Sequence, residues 1–279
     1  MSRRNLELAD GRRLAWAQWG PEGGRPVLFC PGAGTSGSLG FGADLLPGLG
    51  ARLLAVDRPG LGWSSPHPGK TLDTWVDDVR QLVAHLGTDD LATVGFSQGA
   101  PFAVALAGAG LASSVALVAG QDDMPTVRAA LAPEVRELVD AVAADPSAVQ
   151  AHIASVADAD WLWTVVADTS GPRDRAFYTD PAFAPAFRQA LAEGFRQGPD
   201  GYARDLVTAL GPWPYRPEDV GVPVDLWYGG LDTSPVHSPD AGRTLAARFP
   251  AGRRHLLPDE GSSLLWTRAG EVLAAVLGP

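Results

Sequence analysis

One cysteine in 279 residues excludes an internal disulfide and makes a reducing cytoplasm the expected setting. That residue, Cys30, ends an apolar run with no histidine or basic neighbour to lower its pKa, which argues against a catalytic thiol. No apolar run is long enough to span a bilayer, and the opening Met-Ser-Arg-Arg-Asn-Leu-Glu-Leu lacks the apolar stretch of a signal peptide. An excess of positive charge is also missing. A formal net charge of −10 argues against nucleic acid or an anionic membrane surface as a partner, since both need clustered Lys/Arg to offset phosphate charge. With 46% hydrophobic and 19% charged residues, there is material for a sizeable core, as one large domain or one domain with an insertion. The expected partner is a small molecule, with no metal or cofactor implied.

The most informative stretch is Ala92-Thr93-Val94-Gly95-Phe96-Ser97-Gln98-Gly99-Ala100, an apolar strand running through Gly-x-Ser-x-Gly into a small-residue helix from Pro101 to Gly108. A serine on so tight a strand-to-helix turn has strained backbone angles. Glycines two residues to either side let strand and helix pass without a Cβ clash, and the hydroxyl stands out above the sheet. The pentapeptide alone is weak evidence; its position between a predicted strand and a predicted helix gives it weight.

Upstream, Leu6 to Ala9 and Arg13 to Trp19 flank Asp10-Gly11, a type I′ turn signal that predicts a hairpin. Pro26 to Cys30 reads as a central strand buried on both faces. The loop after it, Pro31 to Ser38, carries few side chains, so its backbone N–H groups can approach a ligand; Gly32 and Ala33 are the candidates for an oxyanion site. Arg52 to Val56 predicts a strand, and Leu72 to Leu86 a helix with Trp75, Val79, Leu82, Val83 and Leu86 on one side. Ser114 to Ala119 is a further buried strand. Between Pro125 and Pro217 the chain turns alanine-rich, with many prolines and aromatics and no sheet-like run, which predicts a helical lid with semi-independent packing. Trp161 and Trp163 are its candidate ligand-contacting aromatics, with Gly32 and Phe96 below. The α/β pattern resumes with strand Val224 to Tyr228, helix Ser238 to Phe249, strand Arg253 to Leu257 and helix Ser263 to Leu277. The predicted division is therefore a core of residues 1–124 and 218–279 with a cap of residues 125–217. Asp232, after Gly229-Gly230-Leu231, sits at the carboxyl end of a predicted strand, where ligands gather in open α/β sheets.

The elbow, the Pro31-Gly32-Ala33 loop, the Asp57-Arg58-Pro59-Gly60-Leu61-Gly62-Trp63-Ser64 segment, the lid insertion and Gly229-Gly230-Leu231-Asp232 together resemble the α/β-hydrolase superfamily over nearly the whole chain. The resemblance implies a mainly parallel sheet of about eight strands with flanking helices and a helical cap. It also implies Ser97 as nucleophile, the N–H groups of Ala33 and Gln98 as oxyanion hole, and Asp232 as the acid, in the family's serine-acid-histidine order. The histidine does not carry over. In the family it follows the last strand in a Pro-x-x-Gly-His type of segment, whereas this chain reads Pro258-Asp259-Glu260-Gly261-Ser262. Serine stands at the expected position, which predicts an incomplete triad and impaired or non-standard turnover.

Among the other histidines, His255 lies within the last strand, His67 in a loop, His152 in the lid and His85 at the end of a helix. His237, five residues after Asp232 in the same loop, is the better placed substitute. Asp122 and Asp123 offer carboxylates as alternative bases, and Arg173 and Arg175 in the lid offer a partner for a lone carboxylate. The expected function is action on a small apolar ester, lactone or related carbonyl compound. A lyase or cyclase using the same pocket, and an inactive ligand-binding member, remain as alternatives.

Overall fold

The computed structural model describes residues 1–278. Eight strands form one sheet: β1 (Ser2–Glu7), β2 (Arg13–Trp19), β3 (Arg25–Cys30), β4 (Ala51–Asp57), β5 (Ala92–Phe96), β6 (Ser114–Val118), β7 (Val224–Gly229) and β8 (Gly252–Leu257). Their order is β1-β2-β4-β3-β5-β6-β7-β8. Only the β1–β2 and β2–β4 pairings are antiparallel; the rest are parallel. The opening hairpin differs from the two-residue turn expected at Asp10-Gly11. Glu7 pairs with Arg13, so residues 8–12 form a longer loop, with Leu8 N–H donating to Arg12 O at 2.7 Å. Gly11 has φ +81° but Asp10 is not left-handed, whereas a type I′ turn needs positive φ at both central residues.

The short apolar runs are central strands because both of their faces are covered. Leu28 and Cys30 of β3 face helices α1 (Leu72–Leu86) and α2 (Ala100–Gly108). Val27 and Phe29 point the other way, toward α11 (Ala269–Leu277). Helix α1 starts with a reciprocal cap between Thr71 and Thr74 and ends at Gly87, in the left-handed region. Its inner Trp75 donates an indole N–H to Phe102 O of α2 at 3.1 Å.

Between β6 and β7 the described residues hold six helices: α3 (Pro133–Ala144), α4 (Pro146–Val156), α5 (Ala159–Thr169), α6 (Pro172–Tyr178), α7 (Ala184–Gly194) and α8 (Asp200–Leu210). Prolines begin four of them, in the first turn, where the missing N–H costs no bond. The lid packs around hydrophobic clusters of its own and is also tied to the core by hydrogen bonds. Ser36 N–H of the β3 loop donates to Ala190 O of α7 at 2.9 Å, and Gln197 Nε2 donates to Gly62 O at 2.8 Å and Ser64 O at 2.9 Å. Trp213, within the predicted lid limits, packs with the core cluster beside α1 and α2.

Two predicted helices are shorter than their patterns. The segment expected as a helix from Ser238 becomes helical only as α9 (Arg243–Arg248). Pro239 interrupts it, and Ala241 and Gly242 adopt φ +54° and +75°. A Cβ at Gly242 would lie 2.1 Å from the Tyr228 ring, so only glycine fits. The last helix breaks at Arg268 into α10 (Leu264–Thr267) and α11. No helix among the described residues is long and apolar enough to cross a membrane.

Candidate active site

Ser97 has φ +51°, a left-handed conformation that costs a non-glycine residue free energy and persists only where the surroundings impose it. The flanking glycines explain how the surroundings can. A Cβ on Gly95 would lie 2.8 Å from Ala103 Cβ, and one on Gly99 would lie 2.0 Å from Cys30 O. Strand β5, helix α2 and the end of β3 therefore close on the serine from three sides, leaving its hydroxyl free at the carboxyl edge of the sheet.

The hydroxyl meets an imidazole. Ser97 Oγ lies 2.8 Å from His237 Nε2, and His237 Nδ1 lies 2.7 Å from Asp232 Oδ2. The expectation of an incomplete triad, with Ser262 marking the vacant place, is thus corrected: the imidazole comes from the loop after β7. With Nδ1–H donating to the Asp232 carboxylate, Nε2 carries the lone pair that faces Ser97. His237 is 7% exposed, so water competes little for either bond.

The loop is held in this shape by contacts far away in sequence. Ser238 N–H donates to Gly120 O at 3.1 Å and Ser238 Oγ donates to Asp122 Oδ2 at 2.6 Å. The second Asp232 oxygen accepts Ser234 N–H at 3.0 Å, tying the acid to its own loop. Asp122, whose carboxyl burial pushes above the usual aspartate range, anchors the residue after the histidine and does not line the cavity. Asp123 accepts from Thr126 and Arg248, each at 2.7 Å. Neither serves as the alternative base.

Ser262 is used differently. Its Oγ lies 2.9 Å from Tyr178 OH, and its N–H and that of Ser263 donate to the two oxygens of Asp174 at 2.8 and 2.9 Å. The segment where the family histidine was expected is thus a clamp between the β8 loop and lid helix α6. His255 stacks on Trp227 and bonds Asp225 at 2.6 Å, His85 lies edge-on to Trp16, and none of His67, His85, His152 and His255 lines the cavity. Cys30 is fully buried, which pushes its thiol up to about 12 and leaves it inert.

Gly32 and Ala33 lie beside Ser97. Arg58, fully buried, donates to Pro31 O at 2.5 Å and to Gly32 O at 3.1 Å; Thr35 Oγ also donates to Gly32 O at 3.1 Å. A trans peptide points its N–H away from its C=O, so with the Gly32 carbonyl held by Arg58 and Thr35 the Ala33 N–H is directed away from those two side chains. Gln98 N–H opens the helical turn after Ser97, where N–H groups have no intrahelical acceptor. Arg58 is itself held by Asp205 of α8 at 2.7 Å. Asp205 also pairs with Lys70, the chain's one lysine, and all three side chains are fully buried. Sequence reasoning missed Asp205; only an acid inside an apolar helical stretch hinted at it.

The sequence profile described as alpha/beta hydrolase fold matches residues 25–269. The chain belongs to that family. Among solved structures, this α/β-hydrolase is similar to a hydrolase from Pseudomonas aeruginosa, with TM-score 0.73 and 21% identity over 99% of this chain and 98% of the other. An enol-lactonase from Burkholderia xenovorans aligns with TM-score 0.66 and 20% identity over 96% of each chain. Among curated proteins, a proline iminopeptidase of Arabidopsis thaliana is 31% identical over 104 residues, which are 36% of this chain and 27% of that protein. The stretch matched is thus about a quarter of that relative's length.

The hydrolase fold encloses a cavity of about 320 Å³ above Ser97. Phe96 and Gly32 line its floor and Trp161, Leu162 and Tyr202 its lid side. Trp163 does not line it: its ring packs edge-on against Phe187 and carries Arg188 on its face. Arg173 is committed to Glu260 at 2.6 Å, and Arg175 to the Ala167 and Asp168 carbonyls, so neither is available to a ligand carboxylate. No lysine, arginine, aspartate or glutamate lines the cavity among the described residues.

Proposed function

We propose that the protein is a serine hydrolase that cleaves a small, neutral, largely apolar ester or lactone through an acyl-enzyme. The observation that carries this reading is the hydrogen-bonded series Ser97, His237, Asp232, with heavy-atom distances of 2.8 and 2.7 Å. In the proposed cycle, His237 Nε2 takes the Ser97 proton as Oγ attacks the substrate carbonyl. The oxyanion forms beside the Ala33 and Gln98 N–H groups, and Asp232 stabilises the imidazolium. His237 then gives the proton to the leaving alkoxide, which departs as alcohol from an ester and stays tethered to the acyl group as a hydroxyl from a lactone. In the second half, His237 deprotonates a water that attacks the acyl-enzyme, releasing a carboxylic acid and restoring Ser97.

Neutral substrates are favoured because an ionic group would be desolvated in a cavity without a charged partner. The structural likeness to an enol-lactonase and to an esterase from a Rhodococcus species agrees with ester and lactone chemistry. The test is labelling with a fluorophosphonate, which reports an activated serine. Rapid labelling of the parent is expected, with none in Ser97→Ala and far slower labelling in His237→Ala. A parent that stays unlabelled and hydrolyses no short p-nitrophenyl ester would overturn the acyl-enzyme reading.

A further inference from the structure

Most buried polar groups around the cavity have partners inside the protein. Thr35 bonds Gly32 O, and Tyr178 and Ser262 bond each other. Two side chains break this pattern. Gln98 and Gln121 are 7% and 4% exposed, both line the cavity, and Gln98 Oε1 and Gln121 Nε2 are enclosed without a hydrogen-bond partner among the described residues. Burying an amide in this way costs stability unless something supplies the missing bond.

Their placement points to what supplies it. Gln98 follows Ser97 directly, and Gln121 N–H donates to Ser97 O at 3.1 Å. Both side chains are therefore attached within one residue or one hydrogen bond of the serine. Building on the reading that Ser97 is acylated, we infer that the Gln98 and Gln121 carboxamides form a subsite for a carboxamide on the acyl part of the substrate. The acyl part is the portion that Ser97 would hold. A substrate amide offers an N–H and a C=O on separate atoms, as each glutamine does, so once the carboxamides rotate to turn their enclosed atoms to the cavity it can meet an unmet acceptor and an unmet donor together. A carboxylate would offer Gln98 Oε1 no donor, and it would bring a charge into a cavity lined by none. The substrate class narrows from apolar esters to N-acylated amino esters with an otherwise apolar body.

The test compares ethyl N-acetylglycinate with ethyl 4-methylpentanoate, which has the same acyl shape without the amide. In the parent, kcat/KM for each ester is divided by its hydroxide-catalysed rate to remove intrinsic reactivity. The ratio of the two should fall about tenfold in Gln121→Met, a change of the size expected for one lost hydrogen bond. The same shift is expected in Gln98→Met, which serves if Gln121→Met does not fold; thermal melting checks folding. Affinities measured by calorimetry in a Ser97→Ala background, with and without Gln121→Met, give the same comparison without turnover. An unchanged ratio in a folded variant overturns the subsite, and turnover of both esters in that case leaves the hydrolase reading standing. A ratio that shifts in the calorimetry while the parent turns over neither ester supports the subsite and sinks the hydrolase reading. Failure of both esters to bind overturns the subsite as well.

Discussion

His237 Nδ1 lies 2.7 Å from Asp232 Oδ2 although the two residues are five apart in one loop. Carboxylate and imidazole are thus delivered together, on the segment between β7 and α9. The loop after β8, where the family resemblance placed the histidine, is released from that task and joins the lid through Asp174 and Tyr178. Distortion of the β7 loop should disturb both groups at once.

Replacing His237 by alanine should lower kcat for a short p-nitrophenyl ester by about 10²–10⁴, the usual worth of a positioned general base. Ser262→His should bring no gain, because a base already stands on Ser97 and the substitution breaks the bond to Tyr178. Steady-state kinetics of the two variants checks both. A Ser262→His protein tenfold faster than the parent would move the base away from His237.

Asp232→Asn should be nearly as damaging as loss of the histidine, by up to about 10⁴ in kcat. The asparagine can present an N–H toward Nδ1, which favours the tautomer that carries its proton on Nε2 and so cannot accept one from Ser97. KM should change little, since Asp232 does not line the cavity. A large rise in KM with kcat intact would mean that Asp232 shapes the binding site instead.

Asp205→Asn should destabilise the fold by about 3–5 kcal/mol, since it leaves Arg58 and Lys70 buried without their shared counter-charge. Burial already pushes the Lys70 pKa down. Denaturant unfolding measures the loss. Because Arg58 also holds the Gly32 carbonyl, whatever variant remains folded should lose kcat as well as stability.

The pH dependence of stability should carry a mark of Asp122. Burial raises its pKa above the ordinary 3.8, so between 3.8 and the raised value the folded chain keeps a proton that the unfolded chain has released. Stability from this group is present below pH 3.8 and is lost as pH rises through the folded pKa. Asp122→Asn removes the titration. The melting temperature of the variant, relative to the parent, should therefore improve as pH rises from about 4 to neutrality; a difference that moves the other way would contradict the raised pKa.

The sequence by itself determined the features that short-range chemistry dictates. The elbow is one of these: a serine forced to φ +51° between glycines that alone let strand, helix and the β3 end meet is legible in five residues. The capped helix Leu72–Leu86 and the doubly buried strands β3 and β5 follow from spacing and apolar runs in the same way. The tertiary structure alone decided which imidazole reaches Ser97. Residues 238–249 have helical spacing, yet Ser238 is drawn to Asp122, 116 residues away, and to Gly120 O. Those contacts, with Pro239 and the left-handed pair Ala241-Gly242, keep the segment a loop until Arg243 and turn His237 onto Ser97. Asp205 was hidden for the same reason, since its partners Arg58 and Lys70 lie on the far side of the chain in sequence. A local pattern records what a residue does to its own backbone; which distant groups meet it depends on how the sheet and lid bring their loops together.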